Sequence, residues 1–274
     1  MAGTLYLVAT PIGNLEDITL RALRVLREVA WIACEDTRQT RKLLDHFGIT
    51  TKLVSYHEHN ETARAADLVK QLEAGSSGAL VTDAGTPLIS DPGYRVVSAA
   101  VAAGIAVVPI PGASAALAAL AGSGLGTDAF IFGGFLPPRT AARRKTLESL
   151  EDADCTLIFY EAPHRILEAL EDIEAVLGPR SVVVARELTK IHEEFLRGTA
   201  SEIRGQLAAR PSVKGEITLL IGRASAENKP ADLPAAEDEV RQLEQQGLSR
   251  MEAVKRVAKT RGIPKRDLYR KVIS

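Results

Sequence analysis

The feature that most constrains this chain is a repeated alternation, over its first half, of short apolar runs with amphipathic helical stretches. A strand pattern at residues 4–9 is followed by Leu20-Arg21-Ala22-Leu23-Arg24-Val25-Leu26-Arg27, apolar at 20, 23 and 26 with charges between. That spacing marks one face of a helix. Further strand candidates lie at 31–34, 52–55, 78–81 and 106–110, with helices between them, including 61–73 and 94–103. Strand–helix alternation predicts a parallel sheet covered on both faces. Aromatic residues are only 4% of the chain, so the core must be built from Ala, Val, Leu and Ile.

The second half predicts another α/β domain with some antiparallel character. Its strands fall at 130–133, 156–160, 181–185, around 193–196 and at 216–221; a basic helix follows Pro137-Pro138, and further helices span 165–177 and 201–208. The small-residue run Gly122-Ser123-Gly124-Leu125-Gly126 follows a helix, whereas a dinucleotide loop follows a strand, so it reads as a hinge or linker. Residues 224–235, with two prolines, read as a second linker. The expected organisation is an N-terminal α/β domain over 1–121, a second α/β domain over 122–223, the 224–235 linker and a basic helical domain over 236–274. In that last domain Gly247 is placed to end a helix and Ser249-Arg250-Met251-Glu252 to open the next as a capping box. That helix is expected to stop near Gly262, with Pro264 in a following first turn. Two short basic helices joined by a tight turn suggest a helix-turn-helix-like unit; a solvated basic bundle is the alternative.

The 274 residues suit two domains with a short appendage. Cys34 and Cys155 sit in apolar runs and read as small core residues, with no disulfide framework or metal spacing. No basic leader precedes the first strand, and cysteine usage fits the cytoplasm. Residues 96–127 lack any charge, but Gly104, Pro109, Pro111 and Gly112 divide them into pieces too short to span a bilayer. Net charge is −1, yet residues 249–274 hold nine Lys/Arg against Glu252 and Asp267, a local +7 that leaves −8 elsewhere. Such asymmetry points to an anionic partner at the C-terminus.

Four loops stand at the C-terminal ends of expected strands, where open α/β sheets bind ligands. They are Ala9-Thr10-Pro11-Ile12-Gly13-Asn14, residues 82–93 around Asp83-Ala84-Gly85-Thr86-Pro87, Pro109-Ile110-Pro111-Gly112-Ala113-Ser114, and Phe159-Tyr160-Glu161-Ala162-Pro163-His164-Arg165. Each joins Pro or Gly to small polar groups, which lets a backbone approach a ligand closely.

Thr10-Pro11-Ile12-Gly13-Asn14-Leu15-Glu16-Asp17, Cys34-Glu35-Asp36-Thr37-Arg38, Asp83-Ala84-Gly85-Thr86-Pro87, Phe159-Tyr160-Glu161-Ala162-Pro163-His164-Arg165 and Ala185-Arg186-Glu187-Leu188-Thr189-Lys190 together resemble the small-subunit ribosomal RNA (cytidine-2′-O)-methyltransferase family. That family is a branch of the tetrapyrrole methylase superfamily. The resemblance spans about residues 4–222, with the basic tail matching a small C-terminal domain. It implies a two-domain α/β fold that holds S-adenosylmethionine (AdoMet), folded up, in the cleft between the domains. It also implies a decoding-centre cytidine of 16S rRNA as substrate, the small ribosomal subunit as partner, and a homodimer. Tetrapyrrole-methylating relatives carry Gly-x-Gly-Pro-Gly and Gly-Asp-Pro in their first two loops; Pro11-Ile12-Gly13 and Gly85-Thr86-Pro87 stand here instead, which favours the RNA branch.

Cofactor contacts are accordingly expected at Pro11, Asp83, Gly85, Thr86, Pro87, Ile89, Ser114, Ala115 and Tyr160. Asp83 suits the ammonium or sulfonium charge, and backbone at Gly85, Thr86 and Ser114 the adenosine and carboxylate. No metal is expected. A ribose hydroxyl is a poor nucleophile, so Glu187 or Lys190 is a candidate to accept or polarise its proton; a salt-bridged surface pair is the alternative. RNA phosphates are expected at Arg139, Arg143, Arg144, Lys255, Arg256, Lys259, Lys265 and Arg266, with solvated helix faces as the alternative. His57-Glu58-His59 lacks a third ligand at zinc spacing, and Asn60 reads as a substrate-loop or helix-capping residue. Two other functions compete: an AdoMet-dependent methylase of a tetrapyrrole or other small molecule, and a non-catalytic rRNA-binding assembly factor.

Overall fold

The computed structural model describes residues 2–57, 59–224, 233–261, 268, 269 and 272. Ten strands and ten α-helices among them follow the expected alternation. The first sheet contains β1 (Thr4–Val8), β2 (Trp31–Cys34), β3 (Lys52–Ser55), β4 (Gly78–Leu80) and β5 (Ala106–Ile110), in the order β3-β2-β4-β1-β5. All of its pairings are parallel. A parallel sheet needs cover on both faces. Helices α1 (Leu20–Glu28) and α2 (Thr37–His46) close one face through Val25, Leu26 and Leu44. Helices α3 (Glu61–Glu73) and α4 (Tyr94–Ala102) close the other through Leu68, Leu72 and Val96. Cys34 and Cys155 are buried.

The second sheet runs β6 (Phe130–Phe135), β7 (Thr156–Glu161), β10 (Ile217–Ile221), β8 (Val182–Arg186), β9 (Glu194–Gly198). Only the β6–β7 pairing is parallel; β7–β10, β10–β8 and β8–β9 are antiparallel. Strand β6 extends two residues beyond the expected Gly133, because a register shift between Phe132 and Phe135 lets the chain bulge and resume pairing. Helices α6 (Thr140–Glu148), α7 (Ile166–Leu177) and α8 (Ala200–Ala208) cover one face.

The other face is covered by α5 (Ala115–Ser123), which follows β5 of the first sheet. Its Ala116, Ala119 and Leu120 pack with Ile158, Val183 and Leu220 of the second sheet. The sequence boundary at 121 thus falls at the end of a helix whose apolar side belongs to the second sheet. Gly124 then ends α5 in a left-handed conformation, consistent with a helix stop and chain turn at the glycine-rich run.

Helices α9 (Leu233–Gln245) and α10 (Arg250–Arg261) form a third core with Val240, Val254, Val257 and Leu268. Gly247 follows α9, and Ser249 and Glu252 make the reciprocal bonds of the expected capping box at 3.4 and 3.2 Å. Most of the 224–235 linker, together with Gly262, Pro264, Lys265 and Arg266, lies outside the described residues, as do the side chain of Lys259 and all of Glu58. No helix among the described residues is long and apolar enough to cross a membrane.

Candidate active site

The carboxyl ends of β1, β4 and β5 and the loops that follow them are stitched into one wall. Thr10 and Gly85 exchange backbone hydrogen bonds at 2.9 and 3.0 Å. The Thr10 hydroxyl donates to the Thr82 carbonyl at 3.0 Å, and the Thr86 hydroxyl to the Ala113 carbonyl at 3.3 Å. Gly85 has φ +89°, a conformation that L side chains resist; glycine lets the chain turn back towards Thr10. The Asp36 amide donates to Asp83 at 3.3 Å. Ser114 caps α5 by accepting from the Leu117 amide at 3.4 Å.

The opposing wall comes from the second sheet. Tyr160 packs edge-on against Phe132 and Phe135, with centroids 5.0 and 5.6 Å apart. Glu161 accepts from the Ala162 amide at 2.7 Å and pairs with Arg165, fixing the turn at the end of β7. Between the walls lies a cleft of about 340 Å³, within the range of small-ligand sites.

Seven of the expected cofactor residues line it: Asp83, Gly85, Thr86, Ile89, Ser114, Ala115 and Tyr160. Pro11 and Pro87 do not; both are buried and stiffen the loops that carry the lining. Sequence reasoning missed Asp91, Phe135, Leu188, Gly215, Glu216 and Thr218, which also face the cleft. Asp91 lies within the quoted second loop and was legible there as a carboxylate, and Leu188 lies within the quoted 185–190 motif. Phe135 arrives through the bulged parallel pairing of β6 with β7, and Gly215, Glu216 and Thr218 through the antiparallel pairing of β10 with β8.

Asp83 and Asp91 are both raised above the ordinary carboxylate range. Burial is the main cause, with neighbouring carboxylates adding to it: Asp36 beside Asp83, and Glu35 and Asp83 beside Asp91. The described residues lining the cleft include four carboxylates (Asp83, Asp91, Glu161 and Glu216) and no Lys, Arg or His. Glu161 and Glu216 are paired with cations outside the lining, Arg165 and Lys190, whereas Asp83 and Asp91 leave the cleft itself acidic.

Glu187 and Lys190 stand at the cleft's edge rather than in its lining. Lys190 donates to Glu187 at 2.8 Å and to Glu216 at 3.2 Å. The ammonium holds Glu187 below its ordinary value, and the two carboxylates hold Lys190 above its own against the opposing pull of burial. Lys190 also bridges the domains. A side chain at Gly13 would come within 2.5 Å of the Lys190 stem, so the first loop needs a residue without a Cβ there. Four described non-glycine residues have positive φ, Leu88, Ser90, Glu187 and Thr189. All lie on the two loops bordering the cleft, a placement typical of functional strain.

The sequence expectation for Arg143 needs correction, and that for Asn60 is met in position only, since Asn60 is the N-cap residue of α3. Arg143 is buried, its side chain only 1% exposed and bonded to Asp172 at 2.6 Å, so it does not present its charge to phosphate. Arg144 binds the same Asp172 at 2.6 Å but remains partly exposed. Arg139, Lys255 and Arg256 are exposed. Asn60 does not cap α3 with its side chain; it accepts from the His57 amide at 2.9 Å and donates to the Ser55 carbonyl at 3.3 Å, closing the loop before that helix.

The Tetrapyrrole (Corrin/Porphyrin) Methylases family matches residues 4–204. Curated relatives extend the match to nearly the whole chain. It is 51% identical to ribosomal RNA small subunit methyltransferase I of Halalkalibacterium halodurans, over 97% of this chain and 93% of the relative. The chain belongs to the ribosomal RNA small subunit methyltransferase I family, within the tetrapyrrole methylases. Another family member, from Synechocystis, is 49% identical over 97% of this chain and 96% of its own. Beyond the methyltransferase I family the fold persists while the sequence does not. A crystal structure of diphthine synthase aligns with TM-score 0.62 at 15% identity, covering 80% of this chain and 90% of that one.

Proposed function

We propose that this protein transfers the methyl group of AdoMet to the ribose 2′-hydroxyl of a decoding-centre cytidine in 16S rRNA. The observation that carries the reading is the charge of the cleft: Asp83 and Asp91 face it with no cationic side chain among the described lining residues, while the other two lining carboxylates, Glu161 and Glu216, are paired from outside it. AdoMet brings a sulfonium and an ammonium, which such a lining attracts. A tetrapyrrole precursor bearing several carboxylates would be repelled by it, which counts against the small-molecule alternative. The rRNA substrate is supported by the names of relatives about half identical along nearly the full chain.

When bound, AdoMet supplies an electrophilic methyl group on a positively charged sulfur. Asp83 and Asp91 attract positive charge, and a bound cation would favour the ionised form of both carboxyls against the upward pull of burial. Gly85, Thr86, Ser114 and Ala115 offer backbone and hydroxyl groups, while Ile89 and Tyr160 offer apolar cover. Positioning supplies much of the acceleration of an in-line displacement. Lys190 keeps its proton beside two carboxylates, so its role is to donate: it polarises the acceptor hydroxyl or holds the neighbouring phosphate. Glu187, held low, is the weaker candidate for accepting a proton. Arg139, Arg144, Lys255, Arg256, Lys259, Lys265 and Arg266 complete the reading as phosphate contacts. The edge strand β6, which exposes Phe130, Ile131 and Phe135, suits a second copy of the chain.

The test is transfer of labelled methyl from AdoMet into isolated small ribosomal subunits, with the modified nucleotide mapped. Label on a cytidine 2′-oxygen in the decoding region is expected. Label on a base atom, or none in the subunit, overturns the reading.

A further inference from the structure

The folded body is not uniformly acidic. Helices α1 and α2 together carry six cations (Arg21, Arg24, Arg27, Arg38, Arg41 and Lys42) against Glu28 and Asp45. On the opposite face of the same sheet, α3 and α4 carry three cations against three carboxylates. Helices α6, α7 and α8 carry four cations against six carboxylates. Apart from the C-terminal tail, helical positive charge is therefore concentrated on one surface.

That surface is ordered and leads to the cleft. Apolar residues of α1 and α2 enter one common core, so their polar sides face outward together. Arg21, Arg24 and Arg27 recur every three residues on α1 and are all exposed, as are Arg38 and Lys42 on α2. Arg27 donates to the Phe47 carbonyl at the end of α2 at 3.1 Å, which ties the helix ends together. Both helices begin at the sheet edge that carries the cleft. The loop before α1 holds Thr10, which bonds Gly85, and Asp36 before α2 bonds Asp83. First-turn Arg21 and Arg38 thus lie nearest the cleft, and Arg27 and Lys42 lie farther along, with Arg21 and Arg27 about 9 Å apart along the axis. Some of the charge is shared locally, as in Arg24–Glu28 and Arg38–Asp36, but exposed pairs of this kind exchange readily for a stronger anion.

We propose that the outer face of α1 and α2 is an RNA-docking surface that grips the phosphate backbone beside the nucleotide whose ribose enters the cleft. The proposal rests on the reading of the protein as an rRNA methyltransferase and adds a second electrostatic contact, on the catalytic body itself. It binds backbone rather than base sequence, because Arg and Lys on a helix surface meet phosphates as charges.

The experiment compares three full-length proteins for binding and methylation of isolated small subunits across a salt series: wild type, R21Q/R27Q/K42Q, and R64Q/K70Q/R204Q, which removes equal charge from other faces. The α1/α2 variant is expected to lose at least about tenfold in subunit affinity, and its log–log salt slope to fall by about 2 to 3, at roughly 0.7–0.9 per phosphate contact. AdoMet affinity stays unchanged, and an R21Q/K42Q protein, which keeps the Arg27–Phe47 bond, keeps the wild-type melting temperature and loses salt slope in proportion. The R21K/R27K/K42R protein keeps wild-type binding, because charge is retained. An unchanged slope in the α1/α2 variant, or equal losses in both triple variants, overturns the proposal while leaving the methyltransferase reading intact. A wild type that binds AdoMet but neither binds nor methylates subunits overturns that reading, and this surface with it.

Discussion

Gly85 shows how one residue sets the cofactor wall. Its φ of +89° lets its backbone pair with Thr10 while facing the cleft. A Cβ there would meet only ordinary contacts, at 3.5 Å from Ile12 and 3.8 Å from the Ala113 carbonyl, so the cost of a side chain is conformational rather than steric. Gly85→Val should force the loop to relax, since a left-handed β-branched residue costs at least about 1–2 kcal/mol. AdoMet affinity measured by calorimetry should fall by tenfold or more in a protein that still folds; an unaltered affinity would separate this loop from the cofactor. The carboxylates give a pH signature. Burial raises Asp83 and Asp91, and a bound cation favours their ionised forms. AdoMet binding should therefore weaken as pH falls through the raised carboxyl range towards the ordinary Asp value of about 3.9, with protons released on binding in the acidic range. Asp83→Asn should weaken binding at neutral pH and flatten this dependence.

At the scale of elements, the α6–α7 contact rests on a buried ion pair. Asp172 on α7 holds both Arg143 and Arg144, and its side chain is 3% exposed. Asp172→Ala would leave the Arg143 guanidinium buried without its main partner, at a cost of about 3–5 kcal/mol. Urea unfolding should show that loss, and replacing both Arg143 and Asp172 with Met should recover much of it. The sequence could not reveal this pair. Arg143 sits in a basic run that looks like a solvated face, and only the packing of α7 decides which side of α6 turns inward. The strands, by contrast, were legible because Val- and Ile-rich runs between turn residues have few alternatives, and the strand-end loops because Gly and Pro mark them. The part of the cleft supplied by Leu188 and 215–218 was hidden for a topological reason. Pairing of β10 with β8 brings together residues 31 to 39 positions apart, and no local pattern encodes that order.

For the whole molecule, two separate positive regions flank an acidic remainder: the α1/α2 face and the tail at 249–274. Deleting residues from 235 onward should leave AdoMet affinity unchanged, because the described residues that line the cleft all come earlier. It should reduce, without abolishing, the salt dependence of subunit binding measured by filter binding or sedimentation. Equal slopes with and without the tail would make it a structural or assembly element. Its own small core of Val240, Val254 and Val257 means that the cut removes a folded unit and exposes little new apolar surface. A cut at the apparent border of the two large sheets would behave differently. Because α5 is wired to the first sheet by the chain and to the second by its apolar side, the seam in space and the seam in sequence do not coincide. A chimera of two relatives joined at 121 would graft one parent's helix onto the other's sheet, whereas a crossover in the short stretch between β5 and α5 would keep each helix with the surface it evolved against.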